Sequence, residues 1–366
     1  MEGKLAALSV RFDWRRRTPL AWIVMACSVL LTVLAWDVSR RSVSGRLHDQ
    51  FMLRTEQLAS TIVQRMDQHE SVLRGGVALF LASKDVTRDE FRLYFQHLEL
   101  ERFFPGIQGI GFAELVPAAA LDTTIERVRN EGFSDFTVHP AGARTVYTPI
   151  IYIEPFNDQN LRAFGFDMYS EAKRRDAMQR AWRTGRTSMS SIVRLIQNAS
   201  HDDAPGCLLY LPVFRSLQTS PSLQETYPIG FVYSPLRIAD LMGGILGHGP
   251  TDLDYTINEP GSPPFFTSRP VGLERADPAL TRDRRIELGG RPWNVHFESR
   301  KNFGNLVSRY EPSSVLLAGL VINVLLFCIL SASASLRRRA EALAGEMTQE
   351  LSLSHAREQE QMLRSL

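Results

Sequence analysis

Two stretches of this chain are too long and too apolar for an ordinary soluble fold. Thr18 to Trp36 (TPLAWIVMACSVLLTVLAW) runs 19 residues without a charge, and Ser313 to Leu336 (SSVLLAGLVINVLLFCILSASASL) runs 24. At about 1.5 Å of rise per residue, either helix reaches across a hydrocarbon core of roughly 30 Å. The first run follows a basic stretch, as a signal peptide would, but it exceeds a usual h-region and no small-x-small cleavage site comes after it. The chain is therefore expected to span a membrane twice, over 18–36 and 313–336.

Basic residues orient the spans. Lys4, Arg11, Arg15, Arg16 and Arg17 precede the first, and Arg337, Arg338 and Arg339 follow the second. Both clusters face the cytoplasm only if 37–312 lies outside. The expected topology is a multi-pass protein of the inner (plasma) membrane. Its cytoplasmic N-terminus covers 1–17, a large extracytoplasmic or periplasmic segment 37–312, and a cytoplasmic C-terminal segment 337–366. Arg40, Arg41 and Arg46 dilute the signal from the other side of the first span.

The remaining bulk properties exclude several classes. Net charge over 366 residues is only +2, which argues against nucleic acid or another polyanion as partner. There are 3 cysteines. Cys27 and Cys328 lie in the apolar runs, which leaves Cys207 alone and rules out a disulfide framework. The histidines show no H-x-x-x-H or H-E-x-x-H spacing, so no metal site is expected. "HDDAP" at 201–205 reads as a solvated acidic loop before it reads as a cation site.

Outside the membrane the chain opens as a long amphipathic stalk helix over about 38–74. Leu47, Phe51, Leu58, Ile62, Met66 and Leu73 form its apolar stripe, and Gly75-Gly76 is expected to end it. A second helix follows, with Thr87 and Glu90 spaced as a capping box. Predicted strands cover 107–115, 136–139, 147–153, 207–214, 229–233, 253–257 and 286–297, the last with a Gly289-Gly290 hairpin turn. Helices are predicted over 118–131, 170–184 and 236–246, and a proline- and glycine-rich surface loop over 259–285. This mixture implies an α+β fold in two modules, a distal one over about 80–220 and a proximal one over about 221–312, divided near 215–225.

After the second span, Leu336, Ala340, Leu343, Met347 and Leu351 alternate at threes and fours. That spacing predicts a short coiled coil and a parallel homodimer. Asn323, mid-span, bonds either to a neighbouring helix across such a dimer or to its own helix backbone. Ser354-His355 lacks the leucine, arginine and proline of a kinase phosphoacceptor box, and a surface histidine is the plainer reading.

The segment "FPGIQGIGFAEL" at 104–115 tests nucleotide chemistry directly. Its glycine order is G-x-x-G-x-G, no lysine follows, and no N-capped helix begins at once, so neither a dinucleotide fingerprint nor a Walker loop fits. It reads as a strand whose glycines serve packing. With no nucleophile elbow and no Cys/His arrangement, the chain itself carries no catalytic motif, and no cofactor is expected.

Five stretches in order, "FPGIQGIGFAELV", "YTPIIYIEP", "GFDMYSEAKRRDAMQRAWRTGRTSMS", "LYLPVF" and "GFVYSPLRIADLM", resemble the CHASE domain. This is an extracytoplasmic sensory domain of bacterial transmembrane receptors that also occurs in plant cytokinin receptors. The resemblance covers about 80–245. It implies a stalk helix, two PAS-like mixed α/β modules and a small-molecule ligand held by the distal one. Carried onto this sequence, the strand would line the pocket through Tyr147, Pro149, Ile151 and Tyr152. Gly165 and Asp167 match the family's "GFD", and Ser190 stands where the plant receptors have a threonine near the ligand. Those receptors place an acid just beyond the strand. Here Glu154-Pro155-Phe156-Asn157 stands there, at a longer distance from "GFD", so the role passes to Glu154 or is lost. On the residues alone, Tyr147 and Tyr152 read first as core or half-buried aromatics, Asp167 reads equally as a helix cap, and Arg175 and Arg180 read as solvated positions.

The resemblance thus implies a receptor that passes a signal to a kinase or cyclase of two-component type. That output would lie on a partner or, if the chain is a fragment, on a further C-terminal part. The alternative is a membrane-anchored interaction or assembly module without a small-molecule ligand.

Overall fold

The computed structural model describes residues 19–197, 204–214, 227–246, 252–269, 278–304 and 311–364. Most of "HDDAP" and the expected module boundary at 215–225 lie outside these residues. The chain divides into two compact units, one from Gln50 to Phe303 and one formed by the stretches before and after it.

Helix α1 runs from Pro19 to Ala82, 64 residues in all. It does not stop at Gly75-Gly76. A Cβ at Gly75 would lie 2.2 Å from Tyr94 Oη, and one at Gly76 would lie 3.0 Å from Val232 Cγ1 and 3.1 Å from Phe95 Cζ. The two glycines let other elements approach the helix, and that tertiary demand overrides their local tendency to break it. The predicted stripe is buried at Phe51, Ile62, Met66 and Leu73.

Helix α2 (Arg88–Gln96) starts on the predicted capping box, with both the Thr87 and the Glu90 bonds formed. A short α3 (Leu100–Phe103) leads into a six-stranded antiparallel sheet. Its strands are β1 (Ile110–Glu114), β4 (Ile150–Glu154), β5 (Ser188–Met189), β6 (Val193–Arg194), β7 (Pro205–Val213) and β8 (Gly230–Arg237). The order is β4-β1-β8-β7-β5, with β6 also on β7. A small pair, β2 (Val116–Pro117) with β3 (Val146–Tyr147), stands apart. Helices α4 (Leu121–Asn130), α5 (Asp158–Leu161), α6 (Ala172–Thr184) and α7 (Ile238–Leu246) are interspersed.

Both faces of this sheet are covered. On one, Ala177, Met178 and Ala181 of α6 pack with Ile150, Leu208, Tyr210, Phe231 and Tyr233. On the other, Phe80 of α1 stacks on Phe112 at 4.1 Å and Phe91 of α2 on Tyr152 at 5.2 Å. Such double coverage explains the nearly unbroken apolar runs of β7 and β8.

A second antiparallel sheet has the order β10-β9-β12-β11, from β9 (Leu253–Asn258), β10 (Pro264–Thr267), β11 (Thr281–Leu288) and β12 (Arg291–Ser299). The Gly289-Gly290 turn closes the β11–β12 hairpin as predicted. The turn also touches the first sheet, where Met189 N donates to Gly289 O at 2.8 Å. Arg282 ties this sheet to α1 through Thr55 Oγ1 and Glu56, each at 2.8 Å.

Several expectations need correction. Residues 136–139 form no strand, only a single bridge from His139 to Phe166. The predicted loop 259–285 contains β10 and the start of β11, because pairing with β9 and β12 outweighs local turn composition. Strand β8 pairs with β1 and β7 in the first sheet.

In the terminal unit, α8 spans Glu311–Arg364. Both α1 and α8 carry stretches long and apolar enough to cross a membrane. Asn323 Nδ2 donates to Thr32 Oγ1 (3.0 Å) and to Gly319 O (2.7 Å). The mid-span amide is thus engaged within this chain, on the first span and on its own backbone.

Candidate functional site

Glycine, proline and short-loop geometry bring three backbone segments together beside the first sheet. His139 bridges Phe166, Pro149 bridges Asp167, and Gly165 N donates to Ile150 O at 2.9 Å. Gly165 holds φ at 83°, and a Cβ there would sit 2.2 Å from Thr137 O, so only glycine fits.

Asp167 is the centre of this junction and is fully buried. Its Oδ1 accepts from Thr148 N (2.8 Å) and Tyr169 N (3.1 Å), capping the short helical turn that begins at Met168. The capping reading of Asp167 is therefore realised. Oδ2 accepts no hydrogen bond and faces Arg144 Nη1 at 3.3 Å. Arg144 in turn donates to Pro140 O and Gly142 O at 3.2 Å each. Tyr147 Oη donates to Gly142 O (2.9 Å) and accepts from Arg144 N (3.0 Å), fastening the loop across the carboxylate.

On the adjoining sheet face lies a set of polar groups in an otherwise apolar core. Tyr210 Oη approaches Met168 Sδ at 2.9 Å. Tyr233, at 6.2 Å from Tyr210 between ring centres, has a buried hydroxyl without a partner. The hydroxyls of Thr187 and Ser188 are likewise buried and unpaired. Arg174 is buried over Phe166 at 5.0 Å, pairs with Glu171 and donates to Arg194 O at 3.1 Å. Desolvation pushes the Tyr233 phenol well above its ordinary range, with Tyr210 adding to the shift and Arg174 opposing it. A buried hydroxyl left without a partner costs about 1–3 kcal/mol.

The predicted site residues thus separate into groups. Tyr147, Pro149, Gly165 and Asp167 meet at the junction. Ile151 is the bulged residue of β4, where the pairing with β1 skips it. The bulge shifts the alternation, so Ile150 and Ile153 join the core beside α6. Tyr152 points to the other face, stacks on Phe91 and donates to Val86 O at 2.9 Å. Glu154 Oε2 accepts from Phe156 N at 3.1 Å, and burial raises its carboxyl pKa. Ser190 serves the sheet, donating to Ser191 O and accepting from Leu208 N.

Arg144, Arg174, Tyr210 and Tyr233 escaped the sequence reading. For Arg174 a signal existed. Arg174, Ala177, Met178 and Ala181 recur at threes and fours as the buried face of α6. Arg180, expected to be solvated, donates to Met189 O at 2.7 Å and has a buried Nε. Among the described residues no group of acidic, histidine or cysteine side chains is placed to hold a metal ion.

Residues 84–265 match the family model of the CHASE domain. No curated protein sequence matches the chain. Among solved structures, the chain is similar to an extracellular ligand binding receptor from Desulfohalobium retbaense DSM5692, at 12% identity and a TM-score of 0.40 over 66% of this chain. It spans 40% of that receptor's length. It is also similar to the periplasmic sensory domain of the Campylobacter jejuni chemoreceptor Tlp1, at 9% identity and a TM-score of 0.37 over 70% of this chain and 93% of that one. A third is the periplasmic domain of RsbU from Chlamydia trachomatis, at 9% and 0.37 over 76% and 99%.

Proposed function

We propose that this chain, which carries a CHASE domain at residues 84–265, is the sensing part of a membrane receptor whose domain outside the membrane binds a small molecule. Two apolar helices flank that domain in sequence, in keeping with a periplasmic sensor anchored at both ends. The distal sheet with α6 is read as a PAS-like module. Its ligand is a compact polar molecule that offers an N–H group to Asp167 Oδ2 in place of Arg144 and an acceptor to the Tyr233 hydroxyl. The observation that carries this reading is the coexistence, in one module, of a fully buried carboxylate oxygen and buried hydroxyls without hydrogen-bond partners. Binding would displace the 139–147 loop and bias the receptor between two states. The output is a cytoplasmic kinase or cyclase, on a partner or on a further part of the receptor. Exposed Leu336, Leu343 and Met347 along α8 support a coiled-coil dimer as the relay.

The test is thermal unfolding of the full chain in nanodiscs against a panel of small metabolites. A saturable rise in melting temperature that Tyr233→Phe abolishes, with the fold retained, is the expected result. Stabilisation by no metabolite, together with a stoichiometric protein partner, would replace this reading with that of an anchored interaction module.

A further inference from the structure

A second feature lies at the β4 edge of the first sheet and shares no residue with the Asp167 junction. Arg88, the first residue of α2, places its guanidinium 4.3 Å from the ring centre of Phe133, 4.9 Å from Tyr152 and 5.3 Å from Phe164. Phe156, exposed, packs edge-on against Phe133 at 5.7 Å and Phe164 at 5.5 Å, forming an outer wall. A carboxylate completes the arrangement. Glu131 Oε2 lies 3.0 Å from Arg88 Nε and is steadied by Arg127 at 3.3 Å through its other oxygen. Arg88 Nη1 donates to Ile151 O at 2.7 Å, the carbonyl that the β4 bulge releases from regular pairing.

Several rings around one cation with one carboxylate is the chemistry that recognises organic cations in general. Here the cation is the chain's own. Burial lowers the Arg88 pKa, with Glu131 opposing the shift, and Nη2 lies 3.0 Å from Glu131 Oε2. The box is thus occupied by a group that gives up hydration and is paired with the carboxylate beside it.

The location gives the occupancy a consequence. Helix α1 ends at Ala82, only a short connection before Arg88. The same connection is held at Val86 O by the hydroxyl of Tyr152, itself a wall of the box. Whatever leaves or enters the box therefore acts on the segment joining α1 to α2.

We propose that the Phe133–Tyr152–Phe164 box with Glu131 is a recognition site for a compact organic cation, such as a quaternary ammonium or alkylguanidinium, for which Arg88 is a tethered competitor. A free cation takes the place of the Arg88 guanidinium, releases the start of α2 from β4, and loosens the 83–87 connection. Reversible displacement needs no further reactant.

Hydrogen exchange of the full chain in nanodiscs tests this, with tetramethylammonium and methylguanidinium chlorides as probes against sodium chloride at equal ionic strength. In the wild type, either probe should speed amide exchange across 83–96 by roughly tenfold, the scale of a desolvated cation–π contact. In Arg88→Ala the segment should exchange fast at the outset, and the probe should now slow it or leave it unchanged. Phe133→Leu should abolish the wild-type response. Should Arg88→Ala fail to fold, Arg88→Lys serves, with the probe effective at lower concentration than in the wild type. No difference between probe and sodium chloride in the wild type overturns the proposal, as does an undiminished response in Phe133→Leu.

Discussion

In the six-stranded sheet, β7 and β8 are buried along almost their whole length. In the four-stranded sheet, β9 alternates strictly between buried and half-buried positions. The first is sandwiched between α6 and the α1–α2 aromatics, and it takes charged groups inside: Asp167 and Arg174 lie at 0% and 3% exposure. The second buries one face, with Trp293, Val295, Phe297 and Tyr255 at its centre. Its carboxylates are paired with arginines, Asp254 with Arg269 at 3.2 Å and Arg300 at 2.6 Å, and the buried Glu298 with Arg269 at 2.5 Å. Two sheets of similar pairing thus differ in how their faces are covered. On the proposed function, the six-stranded sheet would be the sensing element and the four-stranded one its support.

The largest test of that contrast falls on the support. Trp293 is fully buried and its ring meets Phe265 at 4.9 Å. Trp293→Ala should cost about 3–5 kcal/mol, read from the denaturant midpoint of the full chain. A cost below about 1 kcal/mol would mean that the second sheet is not the supporting one.

Acid provides a second, smaller lever, directed at the region before β1. His69 of α1 is buried beside Phe104, both ring nitrogens lack partners, and burial, with Arg65 second, lowers its pKa from 6.5 to about 4. The folded state keeps this ring neutral while the unfolded chain takes up a proton. Stability should therefore fall as pH drops from 6.5 towards 4, by at most about 3 kcal/mol. Denaturation measured across that interval should show a shallower pH slope in His69→Phe, and an unchanged slope would remove His69 as the cause.

The smallest effect has the opposite sign. Tyr233→Phe deletes a hydroxyl without a partner and should raise stability by about 1 kcal/mol while removing ligand response. Tyr255, whose hydroxyl is also buried and unpaired, supplies the matched control in the second sheet. Tyr255→Phe should give a similar gain in melting temperature with ligand response intact. Loss of response in both variants would break the division between the sheets.

Some of this organisation is plain in the sequence because the physics is local. Charge-free length marks the two apolar helices, the Thr87–Glu90 pair starts α2, and Gly289-Gly290 turns the last hairpin. The glycines of "FPGIQGIGFAEL" likewise serve packing. A Cβ at Gly111 would lie 2.4 Å from the Tyr233 ring and 2.6 Å from Tyr152 O. What could not be read locally arises between elements. Gly75-Gly76 stays helical because Tyr94, Phe95 and Val232 press against it, and the bulge at Ile151 exists only in the pairing with β1. That one skipped residue sends Tyr152 to the face opposite the one that Ile150 and Ile153 share, and so divides the expected pocket residues. Arg144 and Arg88 lie in positions that only tertiary closure brings near Asp167 and Phe133.

The contact between Met189 N and Gly289 O joins the two sheets main chain to main chain. Substitution of side chains at either position cannot delete it, because neither bonding atom belongs to a side chain. A Cβ at Gly289, which would lie 2.8 Å from Met189 Cβ, wedges the joint apart instead. An added side chain at Gly289 is therefore the substitution that bears directly on this main-chain bond, whereas the neighbouring Arg291–Asp176 pair, at 3.8 Å, depends on its side chains.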